Sequence, residues 1–339
     1  MVGGIICAML RAFIRHPDGS ISTDASPQSL SAVVRDCKSV FWLDMAKPTD
    51  DEYALLDEVF GFHPLAIEDS IQYTQRPKIE SYQHLGDVCK VGYFYMVFHG
   101  PDLETFKEHL RTKELDMFMS ERYLVTIHED EFRTISDILA RAGVDARVVL
   151  DPGIDMLLHK ILDHITDAYM PILDYLGDEL DALEDRALHS PTPDVLAGIS
   201  AKKRELLNLR RIVGPQREVV AMLTRGEVPF IRENARIYFR DVQDHLIRTV
   251  ETVELYRDLI MGARDIYLSS VSNHLNQIMK TLTIISVIAM PIMAVTSFFG
   301  MNFESMPAIH SPTGFWITMG FTAIFEVFVI WLIKRKGWL

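Results

Sequence analysis

The sequence predicts an α+β amino-terminal domain followed by long helices and two membrane-spanning helices. Three observations lead to this fold class. Short aliphatic runs alternate with helical patterns up to about Asp151, the pattern is helical after Pro152, and two apolar stretches lie near the carboxyl terminus. A chain of 339 residues is long enough for more than one structural unit.

The amino-terminal part, residues 1–152, contains the predicted strands. Alternating or aliphatic-rich runs predict strands near Ile5–Phe13, Val40–Leu43, Gly92–Phe98, Asp116–Met119 and Tyr123–His128. Helical periodicity predicts helices at Asp51–Phe60 and Phe132–Ala142. We therefore expect an α/β domain in this part of the chain.

The following segments are predicted to be helical. A run from Ile154 to Leu188 and a second helix at Asp194–Thr224 flank a proline-containing break, so residues 153–228 are assigned to a helical hairpin. No proline then occurs between Arg232 and Pro291, which places a stalk helix at residues 229–280 that continues into the first apolar stretch. Sixty-odd helical residues extend on the order of 100 Å.

Two apolar stretches predict a helical hairpin in a membrane. Thr281–Phe299 contains no charge, and about nineteen residues are enough to cross a hydrocarbon core of roughly 30 Å. Phe315–Ile333 is similar except for Glu326, whose charge is most simply explained by pairing or snorkelling near Lys334. On hydropathy alone, such a hairpin is as compatible with a simple membrane anchor as with a pore.

These stretches define the carboxyl-terminal boundaries: transmembrane helix 1 at residues 281–300, an external loop at 301–312, transmembrane helix 2 at 313–333 and a basic tail at 334–339. Lys280 and the basic tail flank the spans, whereas the loop contains no Lys or Arg. The positive-inside rule therefore places both termini in the cytoplasm.

Charge and motif content exclude several functions. The net charge of −13 disfavours nucleic-acid binding and favours cations as partners. The odd set Cys7, Cys37 and Cys89 lacks CxxC spacing, which predicts free buried thiols in a reducing compartment. The sequence contains no phosphate-binding loop, no HExxH and no nucleophile elbow, so an enzyme is not expected.

The motif Gly300-Met301-Asn302 closes the first apolar stretch. The surrounding segment, Phe298 to Pro307, resembles the signature of the CorA family of magnesium channels. Further stretches that resemble the family are His63-Pro64-Leu65, Glu68-Asp69, Gln75-Arg76-Pro77-Lys78, Tyr238 to Val242, Tyr267 to Asn273 and the terminal Lys-Arg-Lys-Gly-Trp-Leu. The resemblance thus covers most of the chain.

The resemblance implies a funnel-shaped homopentamer in the plasma or inner membrane, with a cytoplasmic α/β/α domain and a stalk helix that becomes the inner pore helix. It also implies transport of Mg²⁺, with Co²⁺ or Ni²⁺ as further substrates. Because Mg²⁺ holds its water shell tightly, a filter of Gly300 carbonyls and Asn302 side chains that binds the hydrated ion avoids the cost of dehydration. Met301 is expected to serve packing.

One stripe of the first span recurs at spacings of three or four residues: Asn276, Met279, Leu282, Ser286, Met290 and Met293. Such periodicity is also ordinary helix packing. By resemblance these positions line the pore, although the family usually has threonine where Met293 stands. In the external loop the family often has two acidic residues, whereas this chain has Glu304 and then Ala308.

The resemblance also implies regulatory magnesium. Asp265 matches a stalk carboxylate that binds Mg²⁺ together with Asp69 of a neighbouring subunit, and Glu68, Asp163 and Asp241 are expected to form a second site. Bound Mg²⁺ neutralises carboxylates that otherwise repel, so cytoplasmic Mg²⁺ favours a closed state. His159, Asp163 and Asp167 are four residues apart on one predicted helix face, which is also a spacing of metal ligands. We interpret the three as part of an ordinary exposed helix face rather than as a metal site of their own.

Two other functions remain open from the sequence. A zinc transporter of the related ZntB type shares the Gly-x-Asn ending, although its loop differs. A membrane-anchored sensor without transport would need no filter, and in such a protein Asn302→Ala would leave cation uptake unchanged.

Overall fold

The structure is a computed structural model that describes residues 9–72, 76–83, 92–107, 110–129, 131–302 and 311–338. The chain divides into two units. The first comprises Met1–Leu183 and Ala197–Gly262, and the second comprises Glu184–Leu196 and Ala263–Leu339.

A seven-stranded mixed sheet forms the centre of the first unit. Its strands are β1 (Met9–Arg15), β2 (Ile21–Ser22), β3 (Val40–Ala46), β4 (Lys78–Tyr82), β5 (Tyr93–Pro101), β6 (Thr112–Met119) and β7 (Tyr123–His128), in the order β2-β1-β3-β7-β6-β5-β4. Strands β3 and β7 are parallel, and the other neighbouring pairs are antiparallel. Every residue of β5 is buried, which requires a layer on each face of the sheet.

Helices cover both faces of this sheet. Its helices are α1 (Pro27–Asp36), α2 (Asp50–Glu58), α3 (Pro64–Ile71), α4 (Arg133–Val144), α5 (Arg147–Leu150) and α6 (Ile154–Asp167). Residues of the first three helices form one core with the strands, as Leu30, Leu56 and Ala66 show. Helix α6 contacts β5, β3 and β7 from the other side. The predicted α/β/α arrangement is therefore confirmed.

Longer helices follow: α7 (Met170–His189), α8 (Pro193–Arg225), α9 (Arg236–Phe299) and α10 (Gly314–Arg335). Within the first unit, the residue that precedes α7 and a residue of α8 both bind one buried carbonyl of the sheet. His99 O accepts hydrogen bonds from Tyr169 Oη at 2.8 Å and from Gln216 Nε2 at 2.7 Å.

The second unit contains the tip of α7 and α8, the carboxyl-terminal part of α9, and α10. Ser270 Oγ donates to Leu188 O at 2.8 Å, which joins α9 to the tip. Lys280 Nζ donates to Gly337 O at 3.1 Å, so the two apolar helices are tied at this end. Both helices are long and apolar enough to cross a membrane, and almost no residue of either apolar window is fully buried.

Several elements differ from the sequence prediction. The run predicted as one helix from Ile154 to Leu188 is broken between α6 and α7, because Pro171 at the start of α7 has no N–H for the preceding turn. Helices α1, α3 and α5 and the edge strands β2 and β4 are absent from the sequence prediction. Of the predicted strand Ile5–Phe13, residues 5–8 lie outside the described part of the chain.

The cysteine prediction is wrong at Cys37. This residue is exposed and disulfide-bonded rather than a buried free thiol. Cys7 and Cys89 lie outside the described residues. Spacing along the chain says nothing about which sulfur atoms meet in the fold, because a disulfide depends on the separation of two Cβ atoms.

Candidate functional site

The end of α9 forms the candidate filter. The helix ends at Phe299, and Gly300 N still donates to Thr296 O at 3.0 Å. A Cβ at Gly300 would lie 3.1 Å from the same carbonyl, which is tighter than an ordinary contact. Glycine therefore lets the chain leave the helix close to its last turn. Met301 and Asn302 follow as exposed residues, whereas Glu304 lies outside the described residues.

The predicted stripe and a row of partly buried residues occupy opposite sides of α9. Partly buried positions recur at Ile284, Ile288, Pro291, Val295 and Phe299. The last of them lines a groove with Gly314 and Phe315, so this side faces α10. All residues of the predicted stripe are exposed: Asn276, Met279, Leu282, Ser286, Met290 and Met293. At 100° per residue its centre lies roughly 190° around the helix from the side that faces α10.

The stripe exposes four large apolar side chains. Met279, Leu282, Met290 and Met293 are each between 56% and 65% exposed. Apolar side chains in such a continuous row require either lipid or further protein around them. Because α10 covers the other side, the stripe is available to line an axis shared by several copies of the chain.

Glu326 lies within α10, and both of its carboxylate oxygens are shielded from solvent. Neither oxygen has a hydrogen-bond partner within the described residues, and no ion pair joins it there to Lys334. The pairing or snorkelling that the sequence suggested is therefore absent in this single chain.

Among the candidate regulatory carboxylates, Asp69 already has a cationic partner. Lys78 Nζ lies 2.5 Å from Asp69 Oδ2 and 3.1 Å from Glu80 Oε1. Burial lowers the pKa of Lys78, but hydrogen bonds and charges from both carboxylates outweigh it and raise that pKa above its ordinary value. The ammonium is therefore charged at neutral pH. Sequence reasoning did not assign a role to this lysine.

The other candidate carboxylates are distributed over three helices. Glu68 is exposed on α3, where its Oε1 accepts from Gln72 Nε2 at 3.3 Å. Asp163 is half-buried on α6, and Asp241 and Asp265 are exposed on α9. Asp265 belongs to the second unit, whereas the others belong to the first. Within the described part of one subunit, Glu68, Asp163 and Asp241 do not form a metal-ligating group.

The structure instead brings Asp163 and Asp167 together with His245. Their ligand atoms lie within 4.8 Å of one another, and His245 Nδ1 lies 3.1 Å from Asp167 Oδ1. Burial raises the pKa of Asp163, and the charge of Asp167 adds to this while His159 opposes it. The sequence could not reveal His245 as the third member, because it lies on α9, far from α6 along the chain.

His159, the other member of the trio considered from the sequence, faces a different environment. Its ring makes edge-to-face contacts with Tyr238 and Phe239. Burial lowers the pKa of His159, although the charges of Asp163 and Asp241 oppose this shift. An uncharged, ring-packed imidazole fits a structural role better than a metal-binding one.

Comparison with known proteins decides the family. The sequence model of the family described as "CorA-like Mg2+ transporter protein" matches residues 38–335. The chain belongs to the CorA family. The chain is 35% identical to YfjQ of Bacillus subtilis over 300 aligned residues, and the aligned region covers 88% of this chain and 89% of YfjQ. It is 31% identical over 306 residues to the cobalt/magnesium transport protein CorA of Thermotoga maritima, with coverage of 90% and 85%.

Solved structures agree with this assignment to the CorA family. The complete CorA magnesium transporter of Methanocaldococcus jannaschii matches with a TM-score of 0.80 and 26% identity, over 99% of this chain and 100% of that chain. The ZntB cytoplasmic domain of Vibrio parahaemolyticus matches over 78% of this chain at 14% identity and a TM-score of 0.60, which shows a shared fold alone. The chain is thus a CorA-type membrane transporter of divalent cations with two candidate spans.

Proposed function

We propose that this chain forms a homopentameric channel that carries hydrated Mg²⁺ into the cytoplasm, with Co²⁺ or Ni²⁺ as further substrates. The observation that carries the proposal is the exposed stripe on α9, which lies opposite α10 and leads to Gly300-Met301-Asn302. Two helices per chain cannot enclose a water-filled path, so conduction requires several copies around an axis. The names of the Thermotoga and Methanocaldococcus relatives support magnesium and cobalt as the ions.

The filter is proposed to select the hydrated ion. Asn302 side chains and Gly300 carbonyls from all subunits offer oxygens to the protons of the water shell. In addition, the last carbonyls of a long helix carry a partial negative charge, and α9 ends at this point. Several such helix ends around one axis would favour a cation at the mouth. Met279, Leu282 and Met290 are proposed as apolar constrictions that close by dewetting.

Transport needs no chemical energy under this proposal. A divalent cation gains roughly 4.6 kcal/mol per 100 mV of membrane potential, twice the value for a single charge. With both termini in the cytoplasm, residues 1–280 would lie inside, residues 301–312 outside, and the basic tail at 334–339 would return to the inner surface.

Closure is proposed to depend on cytoplasmic Mg²⁺. The regulatory ion would bridge Asp69 and Asp265 of neighbouring subunits, with Glu68, Asp163 and Asp241 contributing to further binding. These carboxylates belong to a chain with a net charge of −13, so bound cations would reduce repulsion between subunits. Loss of Mg²⁺ would loosen the assembly and favour the open state.

The proposal is tested by Mg²⁺ entry into proteoliposomes that hold the purified protein, with a negative internal potential and low Mg²⁺ on the cytoplasmic side. We expect wild-type uptake that rises with the potential, and loss of uptake in Asn302→Ala at matched insertion. Ile284→Val, a change on the same helix at a partly buried position on the side that faces α10, serves as the control. Equal uptake by wild type and Asn302→Ala would contradict the filter, and uptake of Zn²⁺ alone would favour the ZntB-like alternative.

A further inference from the structure

Lys78 is held between two carboxylates and an aromatic ring. Its ammonium lies 2.5 Å from Asp69 Oδ2, 3.1 Å from Glu80 Oε1 and 5.4 Å from the centre of the Tyr95 ring. Only 26% of the lysine side chain is exposed. This arrangement joins β4 to α3 and gives Asp69 a cation that belongs to the same chain.

The surroundings fix the ammonium in this position. Glu80 Oε2 accepts a hydrogen bond from Tyr82 Oη at 2.5 Å, which holds that carboxylate in place. Tyr95 Oη donates to Asp116 Oδ1, also at 2.5 Å, which anchors the ring beneath the lysine. A side chain held by several neighbours on rigid strands loses little further entropy when it pairs with Asp69.

We propose that Lys78 is a built-in competitor of the regulatory Mg²⁺ and sets the cytoplasmic concentration at which the channel closes. This inference rests on the proposed role of Asp69 in closure. A cation that binds the Asp69 carboxylate must either displace the ammonium or accept a positive charge within about 6 Å. Even with the dielectric constant of water, this repulsion between a divalent and a monovalent cation weakens binding by roughly tenfold.

The competition predicts opposite effects for the two neighbours of Asp69. Lys78→Met keeps much of the aliphatic stem but removes the charge, so the ion binds more tightly. Glu80→Gln removes a negative charge that attracts both cations and leaves the ammonium to Asp69 alone, so the ion binds less tightly. A lysine that only ties β4 to α3 would not give changes of opposite sign, because both substitutions would weaken the same contact.

The measurement is the free Mg²⁺ concentration that halves the Mg²⁺ current in inside-out membrane patches that contain the full-length channel. We expect Lys78→Met to lower this concentration roughly tenfold, Glu80→Gln to raise it, and Lys78→Arg to stay near wild type. Lys203→Met, at a lysine on α8 without an ion-pair partner among the described residues, controls for loss of one positive charge. Protection of the assembled protein by Mg²⁺ against trypsin gives a second readout of the same affinity.

Asp69→Asn separates this inference from the function on which it rests. If Asp69→Asn leaves the half-inhibitory concentration unchanged, the proposed closure site itself is wrong. If Asp69→Asn raises that concentration while Lys78→Met leaves it unchanged or raises it, closure at Asp69 stands and the competitor role of Lys78 is overturned. If Lys78→Met does not assemble, equal affinities for Glu80→Gln and wild type in the trypsin assay overturn it instead.

Discussion

Loss of Arg232 is expected to destabilise the first unit through one buried carboxylate. Asp155, at the start of α6, is only 3% exposed. Its Oδ2 accepts from Arg232 Nε at 2.8 Å and from Arg232 N at 3.2 Å, and its Oδ1 pairs with the same guanidinium. Gly153, with φ of 110°, lies directly under that guanidinium, so no side chain could replace its hydrogen without displacing the arginine.

The magnitude follows from what Arg232→Met removes and what it leaves. Breaking a fully buried ion pair costs about 3–5 kcal/mol. The Arg232 side chain is 51% exposed, so solvent screens part of the pair. The carboxylate also keeps two backbone donors, from Met156 at 2.9 Å and from residue 232 itself. We therefore expect a loss of about 2 kcal/mol, which lowers the melting temperature of a unit of this size by roughly 4–8 °C.

The assay is heat unfolding of the purified full-length protein in detergent, followed by circular dichroism. Arg204→Met, at an exposed arginine on α8, is the control and should change the melting temperature by no more than about 2 °C. The double variant Asp155→Asn/Arg232→Met should regain part of the loss, because it leaves no uncompensated charge. The reasoning is refuted if Arg232→Met melts at the same temperature as the control Arg204→Met. It is also refuted if the double variant loses as much stability as the two single variants lose together.

Three other predictions concern single residues. Burial and the charge of Glu114 raise the pKa of Asp116 in the folded protein. The stability that Asp116 contributes is therefore complete below the ordinary aspartate pKa and is lost as the pH rises through the raised native pKa. Asp116→Asn should raise the melting temperature more at pH 8 than at pH 5. Gly300→Ala should reduce Mg²⁺ uptake about tenfold at unchanged insertion, because a Cβ 3.1 Å from Thr296 O makes a contact that is relieved only by a small shift of the backbone next to the filter. Glu326→Gln should raise the melting temperature of the detergent-solubilised protein by a few degrees, since it removes a shielded carboxylate without a partner among the described residues; a lower melting temperature would point to a partner in another subunit.

The central part of the fold could be predicted from the sequence because it depends on local patterns. The strands β3, β5, β6 and β7 are apolar enough to be recognised, and α9 lacks a helix-breaking proline before its membrane segment. The edge strand β4 was missed, since it is only partly buried and has a weak alternation. Helix α3 is also absent from the prediction, although Pro64 at its first position is a helix-start signal.

The candidate site was less accessible to sequence reasoning wherever distant residues meet. The stripe lies on one helix and the filter follows the end of that helix directly, so both could be recognised from helical periodicity and a local motif. The pairing of Lys78 with Asp69 depends on how β4 packs against α3, and the position of His245 beside Asp163 depends on how α9 packs against α6. Similarly, the shielding of Glu326 follows from packing that hydropathy does not report.

The most direct test of the account is block of Mg²⁺ uptake by a charged, thiol-specific reagent in channels with one added cysteine on α9. Met290→Cys places the thiol in the stripe, and Ile288→Cys places it on the side that faces α10. With wild type as the control for the native cysteines, we expect the reagent to block Met290→Cys and to spare Ile288→Cys. Block of Ile288→Cys with uptake through Met290→Cys unaffected would contradict the claim that this stripe lines the pore.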